Sequence, residues 1–247
     1  PDGHHRGWAD RVAQALAAQA GHDGQVEYAN LAVRGKLLDQ VVAEQVDAAA
    51  ALAPTLATFH AGPNDVLRRG TDLDDLAQRY DAAVARVAAA SDRVVLFTAI
   101  GRAGGTGRFA AFLAERFGRF NASIRSTAAR HGAVLVDLEP VDALSDRRLW
   151  HVDRLHLNAE GHRRVAAAVL ESLGVTDPDL LTGQPGWWRE PLPPASPITR
   201  QQALRTDAAW VRGHLLPWVG RRLRGVSSGD GRAAKDPLLR LITSTGP

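Results

Sequence analysis

Cysteine and methionine are both absent from the 247 residues, and lysine occurs only at Lys36 and Lys235. Without cysteine the chain can form no disulfide and can offer no thiolate as nucleophile, zinc ligand or iron–sulfur ligand. No apolar run approaches the roughly 20 residues needed to cross a bilayer, so a soluble, cytoplasmic protein is expected. The sequence opens at Pro1 with no signal-type apolar stretch and no methionine, and an N-terminal truncation of a longer chain is expected.

What is present is a 45% apolar content, enough for a sizeable core in one domain with an extension. The net charge of +3 conceals an asymmetry: residues 1–188 carry 20 basic and 23 acidic side chains, and residues 189–247 carry 10 and 4. The basic excess is almost entirely arginine and lies in the C-terminal part.

Trp8, Val12, Ala15 and Leu16 recur at helical spacing between Gly7 and Gly21. A short strand over Val26–Leu31 leads to Gly35, and a second helix with Leu37, Leu38, Val41, Val42 and Val46 ends before Pro54. Thr55–Ala61 reads as a buried strand running into Gly62-Pro-Asn-Asp65. A third helix opens at Thr71 or Asp72, and Arg93–Thr98 is a strand apolar through its centre. After a glycine-rich loop at Gly101–Gly107, a long helix runs to Gly132 and a fourth strand covers Ala133–Leu138. Four apolar strands alternating with helices predict a parallel sheet covered on both faces. Residues 1–176 are expected to form this domain, 177–198 a Pro/Trp-rich linker, 199–224 an amphipathic Arg-rich helix and 225–247 a mobile tail.

The stretch from His151 to His162 sets Asp153 three residues before His156, just ahead of a helix that Asn158 can cap and Gly174 can end. A carboxylate at one ring nitrogen fixes the histidine tautomer and leaves the other nitrogen free to take a proton from a hydroxyl. The same residues also suit an ordinary loop; a metal site of His151, Asp153, His156 and His162 is not expected, because His162 lies beyond the loop on the helix and no second cluster supplies further ligands. In open α/β sheets ligands bind beyond the carboxyl ends of the strands, where Gly35, Asn64 and the Asp153/His156 loop all fall.

Three pieces occur in order: Asn30-Leu-Ala-Val-Arg-Gly35, Gly62-Pro-Asn-Asp65 and Asp153-Arg-Leu-His156. Together, over residues 7 to 174, they resemble the SGNH (GDSL-type) hydrolase family. The resemblance implies a three-layer α/β/α fold with a parallel, flavodoxin-like sheet, followed here by a basic helical extension. It implies that the Gly35 N–H and the Asn64 amide are oxyanion donors, that His156 is the general base and that Asp153 orients it. The reaction implied is hydrolysis of small acyl esters or acetylated carbohydrate through an acyl-enzyme, with a small-molecule substrate and no cofactor. Asp65 is expected to support its loop.

The family's first block, a strand followed by Gly-Asp-Ser, does not occur in the sequence. Ser228-Gly-Asp-Gly231 has the reverse order and no strand before it, so no nucleophile is assigned and the chain as given is expected to be inactive. In the strand order 2-1-3-4-5 that first strand is interior, so its loss leaves ladder groups unpaired and favours poor folding or a rearranged sheet. The alternative is a noncatalytic protein that presents its Arg-rich extension to an anionic partner; otherwise nothing indicates a nucleic-acid or membrane partner.

Overall fold

A computed structural model of the protein describes residues 6–20, 25–100, 107–176, 184–197, 199–224, 229 and 231–242. Three strands, β2 (Leu56–Phe59), β3 (Arg93–Phe97) and β4 (Val134–Val136), form a parallel sheet in the order β2-β3-β4. The register sets Leu56 opposite Arg93 and Val95 opposite Val134. Side chains alternate across β3 because the strand period is two. Val95 and Phe97 therefore face one layer and Val94 and Leu96 the other.

On the first face lie α1 (Trp8–Ala20) and α7 (Ala159–Leu173), packed on each other and on the sheet through Val12, Ala15, Val165 and Val169. On the second lie α5 (Leu73–Ala89) and α6 (Arg108–His131), which bury Leu76, Tyr80, Phe120 and Ile124. Each helix starts or stops where its chemistry requires. The Asp72 carboxylate accepts from the amides of Asp74 and Asp75 at the start of α5, and Gly132 (φ +62°) and Gly174 (φ +72°) end α6 and α7 in the left-handed conformation. This is the α/β fold with a parallel sheet that the strand–helix alternation predicts.

The helix expected after Gly35 forms over 38–51, as α2 (Leu38–Val41), a π-helical turn (Val42–Val46) and α3 (Asp47–Ala51). The short α4 (Pro63–Val66) follows β2, and beyond α7 the chain forms α8 (Arg200–Trp210), a second π-helical turn and α9 (Leu216–Leu223). Among the described residues no helix is long and apolar enough to cross a membrane.

Three expectations need correction. The strand β1 (Val26–Asn30) is not hydrogen-bonded to the parallel sheet; it forms a separate two-stranded antiparallel sheet with β5 (Asp236–Ile242). The described strands thus number five, and part of the stretch expected to be a mobile tail is a strand. Its physical basis is the run Leu238-Leu-Arg-Leu-Ile242, which supplies ladder groups to an otherwise open edge of β1. Lys235 adds an ion pair to Asp10 of α1 at 2.8 Å. The 177–198 segment is likewise not a free linker throughout. Trp187 and Trp188 are buried against α7, the Trp188 indole donates to Glu171 at 3.0 Å, and Arg164 donates to the carbonyls of Trp188 and Glu190. Burying two indoles yields more free energy than solvating a polar connector. Residues 177–183 and 198 lie outside the described residues, as do 101–106 of the glycine-rich loop.

Candidate active site

The C-terminal ends of β3 and β4 are locked by buried polar groups. Thr98 Oγ1 accepts from the amides of Leu138 and Glu139 and donates to Asp137, while the Asn121 amide bonds both the N–H and the C=O of Ala99. Beyond them opens a cleft of about 270 Å³ whose lining includes Asn64, His156, Leu67, Ile100, Phe117 and Leu155. Among the described residues the lining carries no Asp, Glu, Lys or Arg.

The loop bearing His156 is closed at its neck. His151 N–H donates to the His156 carbonyl at 2.8 Å and Asn158 N–H to the Leu149 carbonyl at 2.9 Å. Asn158 then caps α7, its side chain accepting from Gly161 N–H at 3.0 Å. Gly161 is required here: a Cβ would stand 2.4 Å from the Leu149 carbonyl oxygen and 2.9 Å from the Leu157 side chain. An isolated glycine inside a helical pattern was the available signal for this contact, which sequence reasoning did not use.

Within the loop, Asp153 Oδ2 lies 2.7 Å from His156 Nδ1, and Oδ1 accepts from the amides of Leu155 (2.9 Å) and His156 (3.1 Å). Partial burial opposes ionisation of Asp153, but the hydrogen bonds from the His156 ring and the two amides outweigh it and hold the carboxyl down at about 2. An ionised Asp153 requires the proton on Nδ1, so in the neutral ring Nε2 carries the free lone pair. His156 is half-exposed on the cleft, whereas Asp153 behind it is only 19% exposed.

On the opposite side, Asn64 sits in α4 after Gly62, whose φ of +97° and contact with Phe120 exclude a side chain. Asn64 Nδ2 donates to the Lys36 carbonyl at 3.0 Å, leaving one amide N–H for another acceptor. Asp65, next to it, accepts from Leu38 N–H at 3.0 Å and is buried, which raises its pKa despite that bond. These two bonds tie the turn at Gly35 (φ +78°) to the turn at Asn64. The structure thus brings His156 and Asn64 to one cleft, with Asp153 behind His156. Gly35 is not among the residues that line it.

His162 does not join the Asp153/His156 pair. Its Nδ1 faces the Trp8 amide at 3.3 Å, and burial, followed by the nearby Arg11, disfavours its protonation. Among the described residues no group of three or more His, Cys, Asp or Glu is placed to hold a metal ion. No serine hydroxyl among them bonds His156. Ser228 and Asp230 lie outside the described residues, and Gly229 between them packs on the Arg34 carbonyl.

Several solved structures share this fold. LAE5, an alpha/beta hydrolase enzyme from the metagenome of Lake Arreo, is 24% identical, with 69% of this chain and 83% of that one covered and a TM-score of 0.55. Axe2, an acetylxylan esterase from Geobacillus stearothermophilus, is 17% identical over 69% and 82% at a TM-score of 0.55. TesA is 21% identical over 68% and 87% at 0.55. No curated protein matches the sequence significantly. The family model of the GDSL-like lipase/acylhydrolases matches residues 1–164, about two thirds of the sequence, and the chain therefore belongs to that family of hydrolases.

Proposed function

We propose that the site hydrolyses small, uncharged acyl esters, with His156 as general base, Asp153 as its orienting carboxylate and the Asn64 side-chain amide as the oxyanion donor on the cleft wall; the Gly35 N–H, which the family resemblance implies as a second donor, sits on the turn tied to Asn64 through the Lys36 carbonyl and does not itself line the cleft. The observation that carries this reading is the 2.7 Å Asp153–His156 pair, its ring facing a cleft that also holds Asn64. Attack on an ester carbonyl places a negative charge on its oxygen, and donors fixed in advance stabilise that charge without reorganisation. The uncharged, largely apolar lining suits a neutral acyl group. Acetylated carbohydrate is one such class, and the fold shared with an acetylxylan esterase is compatible with it.

In the acyl-enzyme route, a serine oxygen bonds to the carbonyl carbon as its proton passes to His156 Nε2. The ester C–O bond then breaks, and the same proton goes to the departing alcohol. Water, deprotonated by His156, finally releases the acid. The Gly-Asp-Ser string that supplies this serine in the family is not in the sequence, and without such a hydroxyl the base can act only on water. The Arg-rich extension as a free anion-binding arm is the weaker alternative, because α8 directs Asp207 and Trp210 onto the loop that carries Asp153.

The test is turnover of a short-chain chromogenic ester by this chain and by a version carrying a strand and Gly-Asp-Ser block ahead of residue 1. The extended version is expected to exceed the chain alone by on the order of 10⁵- to 10⁶-fold, and to lose that gain on Ser→Ala or His156→Ala. Undiminished activity in His156→Ala would remove the proposal.

A further inference from the structure

We infer that helix α8 positions the general base: Trp210, acting with Asp207 and Arg154, fixes the tip of the 149–158 loop so that Asp153 stays against His156. The inference rests on the reading of His156 as base, and it assigns a role to the extension beyond the α/β domain.

The hydrogen bonds at the loop neck set where the loop starts and ends, but not the orientation of its tip. There the chain turns through Arg154 at φ +58°, a left-handed conformation that residues with a side chain adopt only where surrounding contacts enforce it. The enforcing contacts come from α8. Trp210 Nε1 donates to the Asp153 carbonyl at 3.1 Å, and the Arg154 guanidinium lies over the same indole, 4.6 Å from its centroid. Arg154 Nη2 bonds the Asp207 carboxylate at 2.6 Å, and Arg147, just before the loop, reaches the same carboxylate at 3.4 Å.

Asp207 and Trp210 are three residues apart on the helix and so share one face. Thr199 and Gln202 cap the helix reciprocally, so α8 begins at a defined point and its register against the loop is fixed. None of the residues of α8 is fully buried, so its placement does not come from a core of its own. Three contacts instead converge on the adjacent residues Asp153 and Arg154. A shift of the backbone at Asp153 and Arg154 would carry the Asp153 carboxylate away from Nδ1, and catalysis is sensitive to displacements of about 1 Å.

The test compares the full chain with Trp210→Phe, which keeps a ring beneath Arg154 but removes the N–H, and with Asp207→Asn, which removes the anchoring charge. Two readouts need no turnover: hydrogen exchange of the Leu155 and His156 amides, both donors to Asp153, and the downfield proton resonance of His156 Nδ1–H. In each variant the amides are expected to exchange at least about tenfold faster and the Nδ1–H resonance to broaden, with the melting temperature changed by no more than about 2 °C. Where ester turnover is measurable, kcat is expected to fall roughly 10- to 100-fold while KM stays within about twofold. Unchanged amide exchange and an unchanged resonance in both variants would overturn the inference. If Trp210→Phe fails to fold, Asp207→Asn carries the test alone. Faster exchange beside ester turnover that His156→Ala leaves intact would show that α8 holds the loop but that the loop is not the base, so the two readings fail separately.

Discussion

Asp153 stands three residues from His156 and draws its donors from its own loop, whereas Asn64 and Gly35 belong to separate elements joined through the Lys36 carbonyl and the Leu38 amide. The Asp153–His156 pair is therefore built mainly from local geometry, with α8 holding only the tip of its loop. The proposed donor Asn64 and the turn at Gly35 depend on the relative placement of β1 and β2, which share no ladder. Of the two sides of the cleft, the donor side is the more exposed to errors of tertiary structure.

The comparison can be broken first on the base side. Asp153→Asn leaves the loop able to close but removes the charge that fixes the His156 tautomer, and kcat on a short-chain ester is expected to fall by on the order of 1000-fold or more. Asn64→Ala is expected to lower kcat about 100- to 1000-fold, with a smaller change in KM. A loss there of less than about threefold would show that the Asn64 amide is committed to Lys36 and is not a donor to substrate.

Stability separates the two sides more finely. A Cβ at Gly62 would lie 2.3 Å from the Phe120 ring on a backbone at φ +97°, so Gly62→Ala is expected to destabilise by about 1–3 kcal/mol, read from the denaturant midpoint. On the base side, the depressed Asp153 pKa contributes stability that is fully present above the unfolded value near 4 and is lost as the pH falls towards about 2. The midpoint of the unmutated protein is therefore expected to drop more steeply over that window than that of Asp153→Asn. Gly229→Ala is expected to destabilise by a similar amount, about 1–3 kcal/mol, because its new Cβ would stand 1.9 Å from the Arg34 backbone carbonyl oxygen beside Gly35. A loss of that size, with kcat reduced more than KM is raised, would show that the C-terminal segment bears on the turn at Gly35.

What could be read from the sequence follows the same division. The parallel strands, the cap at Asn158, the stops at Gly132 and Gly174 and the Asp-x-x-His pair are set by residues close in the chain, so spacing and residue type display them. The Trp210 bond to Asp153 could not be read that way, because its acceptor is a backbone carbonyl, which every residue possesses. The β1–β5 pairing was hidden for a related reason. Leu238 to Ile242 are apolar apart from Arg240, but glycine and proline around them weight the local reading towards turns, and the edge of β1 gives them a partner. Asp65 lies between these cases. Its supporting role was read from its neighbour Asn64, but its partner, the Leu38 amide, came from the fold.

The register that sets Val26 opposite Ile242 carries a consequence for the order in which the molecule is made. During synthesis, β2, β3 and β4 with α5 and α6 can assemble as each segment leaves the ribosome, since their contacts span modest stretches of chain. β1 emerges before the three parallel strands, yet its hydrogen-bonding partner is translated some two hundred residues later. For that interval the edge of β1 that pairs with β5 has yet to receive it, so the nascent chain carries a strand edge that a chaperone, or a neighbouring nascent chain, can reach before β5 does.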